Sequence, residues 1–266
     1  NSSIKLAAGM GSRTPNAVME NVGLLASSRE WIIRGNANDP NFGLPMERAA
    51  NYGVNYLQKF RAFYRDASFS VDFYRTEFTD QLVVDMDASA REVNIYALDG
   101  KSYSNSAQVE MQVSPARRFD VRLAYRFLDV KTDYDQGLLA KPLVANHRGF
   151  TNLAYETKAS DEGSQWRFDA TLQWIGSSRI PDTSANPEEF QVSTSSDDYL
   201  MLGAQVTKAW SADFEIYLGG ENLTNFRQPN PIIDAQNPFG ENFDASLIWA
   251  PIFGRMAYVG LRWKIR

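Results

Sequence analysis

A period of two governs this chain, and it limits the fold more than any other feature. From Trp166 to Trp174 the residues Trp166, Phe168, Ala170, Leu172 and Trp174 fall on one face of an extended strand, with Arg167, Asp169, Thr171 and Gln173 on the other. Phe119, Val121, Leu123, Tyr125 and Phe127 repeat the pattern against Asp120, Arg122, Ala124 and Arg126. So do Ala107, Val109, Met111 and Val113, and, near the C-terminus, Ala257, Val259, Leu261, Trp263 and Ile265. Weaker alternation starts at Ile4, Tyr52, Phe69, Leu153, Leu200 and Phe214. This predicts about ten strands of the ~10-residue length that suits a tilted membrane strand. An all-β fold follows.

The connections sort by length. Short ones fall near 62–67, 114–118, 158–163 and 210–212, and long ones near 14–46, 80–101, 131–145, 177–196 and 224–253. Strict alternation of short and long is the habit of an outer-membrane barrel, with tight periplasmic turns and long extracellular loops. A soluble sandwich or jelly roll also alternates, but it keeps its connections short at both ends. Mean hydropathy is −0.39, and no run approaches the ~20 apolar residues of a spanning helix. Neither fact opposes a barrel, whose strands show lipid only every second residue. Aromatic residues make up 13% of the chain, enough to furnish interfacial girdles.

Several functions drop out on composition. The net charge of −5 argues against a nucleic-acid partner held through phosphates. The absence of cysteine removes disulfides and thiolate metal sites. His147 is the only histidine, so histidine-cluster metal centres are excluded and any serine triad would have to use it. A hydrogen bond at the barrel rim is its ordinary role. Glu188 and Glu189 are adjacent in sequence, which does not place them across a substrate. No cofactor is expected, and no enzyme.

Gly219-Gly220-Glu221-Asn222-Leu223-Thr224-Asn225 resembles the G-x-x-N-L-(T/F)-(N/D) segment on the penultimate strand of TonB-dependent receptor barrels. Gly254-Arg255-Met256, followed by alternation to Arg266, resembles the strand that closes such barrels, although the chain ends on Arg266 rather than on an aromatic. Ala8 to Pro15, containing Ser12-Arg13-Thr14-Pro15, looks like the family's mid-barrel strand with its R-x-P, and Asn51-Tyr52-Gly53-Val54 like the strand after the next loop. The order and strand placement of these segments are more specific than any one of them; Asn222-Leu223-Thr224 alone also reads as a glycosylation acceptor.

The resemblance implies an antiparallel up-and-down transmembrane β-barrel of ~22 strands, of which residues 1–266 would be the C-terminal portion, about ten strands. The plug domain, the earlier strands and the segment touching a TonB-type energy-transducing protein would lie upstream; no signal peptide starts the chain. It implies energy-coupled uptake of a nutrient across the outer membrane. Its partners would be outer-membrane lipid, the plug domain and the TonB-type protein, with a surface-exposed substrate-binding lipoprotein as a further partner. A passive porin-like barrel is the alternative, and a soluble β-sheet binding module the third reading. Asp120, Arg122, Arg126, Arg167 and Asp169 should face the lumen and the plug. Among the loops, Arg227, Asn230, Asn237, Phe239, Asn242 and Trp249 are the candidates for substrate contact, since amides beside aromatic rings suit a glycan or peptide. Packing over the barrel mouth would account for them equally. Asp129, Asp133 and Asp135 lack calcium-loop spacing and read as a solvated acidic loop.

Overall fold

The computed structural model describes residues 1–265. Its strands are β1 (Ser2–Arg13), β2 (Glu30–Ile33), β3 (Glu47–Ala62), β4 (Arg65–Asp80), β5 (Leu82–Asp85), β6 (Glu92–Ala97), β7 (Ser102–Ala116), β8 (Phe119–Tyr134), β9 (Gly137–Ala140), β10 (His147–Glu156), β11 (Gln165–Ile175), β12 (Tyr199–Ala209), β13 (Phe214–Glu221) and β14 (Met256–Trp263). Ten of them pair in chain order, β1-β3-β4-β7-β8-β10-β11-β12-β13-β14, each antiparallel to the next, and β9 folds back on β8. This is the up-and-down wall that the alternation predicts, in an unclosed stretch of barrel. Arg266 of the expected last strand lies outside the described residues.

At one end the turns are tight. Phe63 and Tyr64 alone join β3 to β4, both at positive φ, the geometry of a two-residue hairpin turn. Arg117 and Arg118 join β7 to β8. All five long connections lie at the other end.

Register carries one apolar face across the sheet. Phe119, Tyr155, Phe168, Val206, Leu218 and Val259 sit side by side on six neighbouring strands, as do Phe69, Met111, Leu123, Thr151, Leu172 and Leu202. These side chains are open even on inner strands: Leu123 is 41% exposed, Phe168 41% and Leu172 39%. A soluble sandwich would bury this face. Phe119 to Phe127 spans about 26 Å along β8, or roughly 20 Å along the membrane normal at a tilt near 40°, close to the ~25 Å of an outer-membrane belt.

Aromatic rings mark both margins. At the tight-turn end Trp166 stacks with Phe168 at 6.2 Å, and the Lys208 ammonium lies 5.1 Å from the Trp166 ring. At the loop end His147 sits between Tyr125, Phe127 and Trp174, and its Nδ1 is 2.7 Å from the Tyr125 hydroxyl. That is the rim hydrogen bond expected of the lone histidine. The connection expected over 131–145 is shorter than the sequence suggests: β8 continues past Phe127 to Tyr134 and turns back as the β8–β9 hairpin. Past the belt the outer face turns polar, with Arg75 bonded to Glu77 and Asn105, and Asn105 to Asp129.

The well-packed core is in the loops. Ala17, Leu82, Met86, Val93, Ile95, Ile180, Ile233 and Leu247 form one buried cluster, joined by Leu24, Trp31, Leu143 and Trp249. Within it β2, β6 and β5 make a separate small sheet, β2 and β6 running parallel. Arg29 pairs with Asp244 at 2.8 Å, both side chains almost wholly buried, and donates to the carbonyls of Met86, Ser89 and Glu92. One guanidinium thereby ties three long connections together. Nη1 makes all three carbonyl bonds, while Nη2, buried as well, has no hydrogen-bond partner among the described residues.

Candidate functional site: a roofed cavity above a polar wall

The loops roof the polar face of the sheet. Thr132 and Tyr134, at the far end of β8 on that face, line a cavity of about 490 Å³ together with Leu82 and Val84 from the small sheet and Met86 just after it. Leu24, Leu143, Ser246 and Ile248 complete its walls from three other connections. Apolar walls with a few polar groups, in a volume of this size, suit a small amphipathic molecule. The polar groups are specific. Gln81 lines the cavity with its Oε1 buried and without a protein donor, an oxygen that a rotation of the side chain would turn toward the cavity. Burial pushes the Tyr134 hydroxyl up to about 12, against the opposing pull of Arg179, so it stays a neutral donor. Glu20, at the rim, is held below the usual carboxylate range by the Asn16 amide and by Arg13.

Hydrogen bonds and ion pairs hold the cavity's frame. Asp85, fully buried, accepts from the Tyr96 hydroxyl at 3.0 Å, and that oxygen accepts from the Asp135 amide. Asp87 takes Arg179 at 2.7 Å, and Asp135 takes Arg34 at 2.6 Å. Burial, then the charge of Asp85, raises the Tyr96 hydroxyl well above its ordinary value. Asp129, Asp133 and Asp135 are thus shared among Asn105, the Lys101 amide and Arg34. No acidic, histidine or cysteine cluster suited to a metal occurs among the described residues.

Below the cavity lies the polar wall. Asp120, Arg122, Arg126, Arg167 and Asp169 all occupy the face opposite the apolar belt. Arg122 forms a two-pronged bond to Glu110 at 2.9 and 3.0 Å, Asp120 takes Ser114, Asp169 takes Asn152, and Arg167 shares Glu215 with Arg262. Arg167, Asp169 and Glu215 border a second hollow of about 420 Å³ toward the tight turns.

The six loop candidates are not brought together. Trp249 packs near Tyr199 and Phe226, at 6.0 and 6.1 Å. Asn242 accepts from Arg91, Asn230 and Asn237 sit in turns, Phe239 stands in solvent and Arg227 borders a shallow groove beside Trp174. None of the six lines the roofed cavity, whose share of this connection is Ala245, Ser246 and Ile248. The cavity's own residues carry only a weak signal in the sequence. The signal was there in Leu82-Val83-Val84 and Val93-Asn94-Ile95, two β-branched runs inside what otherwise reads as loop.

The motif residues are structural. Asn222, at positive φ and buried, donates to the carbonyls of Phe226 and Phe253, while its Oδ1 accepts from the Phe226 amide. Thr224 bonds the Leu200 carbonyl, and Asn225 accepts from the Arg255 amide. Arg13 bonds Glu47, whose other oxygen accepts from the Leu82 amide, so the R-x-P segment ties β1 and β3 to the small sheet.

An antiparallel wall with a lipid-height apolar belt, tight turns at one end and packed loops at the other defines an outer-membrane barrel protein. The chain belongs to the family described as TonB dependent receptor-like, beta-barrel, which matches residues 1–223. Solved structures agree. The copper transporter OprC superposes with a TM-score of 0.66 at 12% identity, over 98% of this chain and 37% of that one. The ferric enterobactin receptor of Pseudomonas aeruginosa in complex with enterobactin gives 0.65 at 14%, over 98% and 38%. The ferric-catecholate import receptor Fiu of E. coli gives 0.60 at 13%, over 98% and 33%. The chain therefore spans about a third of these receptors' length. No match was found among curated protein sequences.

Proposed function

We propose that this chain is the C-terminal barrel portion of a receptor that captures a scarce nutrient outside the cell and passes it through the outer membrane by TonB-dependent coupling. The observation that carries the reading is the pairing of an exposed, lipid-height apolar belt on one face with a loop-roofed cavity on the other. Lipid would cover the belt. A plug domain would fill the space inside the wall, and a TonB-type protein would act on that plug from the periplasm. The cavity of about 490 Å³ favours a small amphipathic cargo, bound by Gln81 and Tyr134 at its polar points. Neighbouring receptors take copper or iron chelates, which makes a metal chelate the first cargo class to try. A surface lipoprotein delivering cargo would dock on the outer side of the packed loops. In this reading the protein performs no chemistry on what it carries.

The test begins with the native polypeptide extracted from outer membranes with detergent. Plug sequence ahead of Asn1, with uptake lost when the inner-membrane coupling protein is deleted, supports the proposal. Uptake that persists without coupling identifies a passive pore, and extraction without detergent leaves only a soluble β-sheet protein.

A further inference from the structure

The polar wall holds two guanidiniums without a counter-charge. Arg126 on β8 and Arg148 on β10 are direct cross-strand partners, which puts their β-carbons about 5 Å apart on the same face. Like charges so placed repel each other. Neither makes a hydrogen bond or ion pair among the described residues, whereas Arg122, Arg167 and Arg262 on the same face each hold a carboxylate. The nearest acid by register is not free to serve. Glu110 sits one strand over and diagonal to Arg126, and both its oxygens are taken by Arg122. Asp72 is two strands away and bonded to Asn55. Arg148 is flanked on its other side by Ile175.

We infer that Arg126 and Arg148 together seat one oxyanion, a carboxylate or a phosphate, against the inner wall. Two guanidinium forks side by side match the geometry of a two-oxygen anion, which each can grip in a planar, bidentate way. The seat lies roughly 20 Å along β8 from Thr132 at the cavity, so an anion leaving the roofed cavity toward the periplasm meets it on the way down. The same seat would take an Asp or Glu side chain of the plug while the barrel is closed. The chemistry is shared, and the sources separate by experiment. The inference rests on the outer-membrane receptor reading for placing this face toward the lumen.

The test uses the full-length receptor in detergent, as wild type, R126Q, R148Q and the double variant, with R126K as the charge-keeping control. Citrate and inorganic pyrophosphate are the soluble probes, titrated calorimetrically at low salt, and hydrogen exchange of the plug is followed in parallel. If a free anion uses the seat, wild type and R126K bind a probe and either glutamine variant weakens it at least tenfold. If a plug carboxylate uses it, the soluble probes do not bind, and either glutamine variant speeds exchange in one plug segment containing an Asp or Glu, which R126K leaves protected. Variants that fold, fractionate with the outer membrane and change neither readout overturn the inference while leaving the receptor reading intact.

Discussion

Tyr258 lies across Gly219, its ring filling the space that a β-carbon on that glycine would need, and Tyr217 does the same to Gly260. The two pairs are register neighbours on β13 and β14, with the Tyr217 and Tyr258 rings 6.3 Å apart and edge-on. The last strand is thus clasped to its neighbour by two aromatic rings that only bare backbone admits. Gly53 receives Tyr74 in the same manner near the other end of the wall.

Adding a single methyl group at Gly219 or Gly260 should expel the ring. G219A and G260A are expected to cost about 1–3 kcal/mol each, the usual penalty of overpacking. The measurement is the temperature at which the full receptor loses its folded band in semi-native electrophoresis. Gly149, between two paired strands, has Trp174 at an ordinary 3.5 Å from where its β-carbon would stand, so G149A should leave that temperature unchanged.

Belt and wall should respond oppositely to charge. Leu123 lies midway between Phe119 and Phe127 on the lipid side, so L123R is expected to cost about 2–4 kcal/mol of folding free energy in bilayers. T171R on the polar face loses only the hydrogen bond from Asn152 and should cost about 1 kcal/mol. Denaturant titration in vesicles compares the two.

The Arg29–Asp244 pair is expected to behave as a buried ion pair whose loss strands a charge. R29M or D244L alone should destabilise the packed loops by about 3–5 kcal/mol, whereas the double replacement should recover most of that. Limited proteolysis of intact cells, read at the connections 14–46 and 222–255, reports the loosening without requiring the barrel to unfold.

Alkali should loosen the same region. The folded-state value of Tyr134 is about 12, above the ordinary value of about 10. Its contribution to stability is therefore complete below pH 10 and is lost as pH rises through 12. Tyr96 is shifted in the same direction. Tyrosine ionisation followed by ultraviolet absorbance should show a late phase that coincides with new protease sensitivity in the loops. Early titration of every tyrosine would contradict it.

The wall was legible in the sequence because lipid and lumen impose opposite demands on successive residues, and Phe119 to Phe127 or Trp166 to Trp174 displays that conflict directly. The loop core was hidden for a physical reason. β2 and β6 pair in parallel across some sixty residues, each is short, and Trp31 or Val93 becomes buried only when the other connections arrive. Loop candidates chosen for their amides and rings, such as Asn242 and Trp249, are engaged by Arg91 and by Tyr199 instead. Composition named groups able to bind a ligand, but only the fold shows which of them already have partners. Gln81 is the converse, an unremarked amide with an oxygen left over.

All five long connections contribute to one buried cluster, through Ala17, Val93, Leu143, Ile180 and Leu247 among others. This constrains how such a surface can change over generations. Exposed positions such as Phe239 are free to vary. An altered length in any one connection, however, is felt by four others, so variation on this face should spread through coordinated exchanges of several segments rather than one loop at a time.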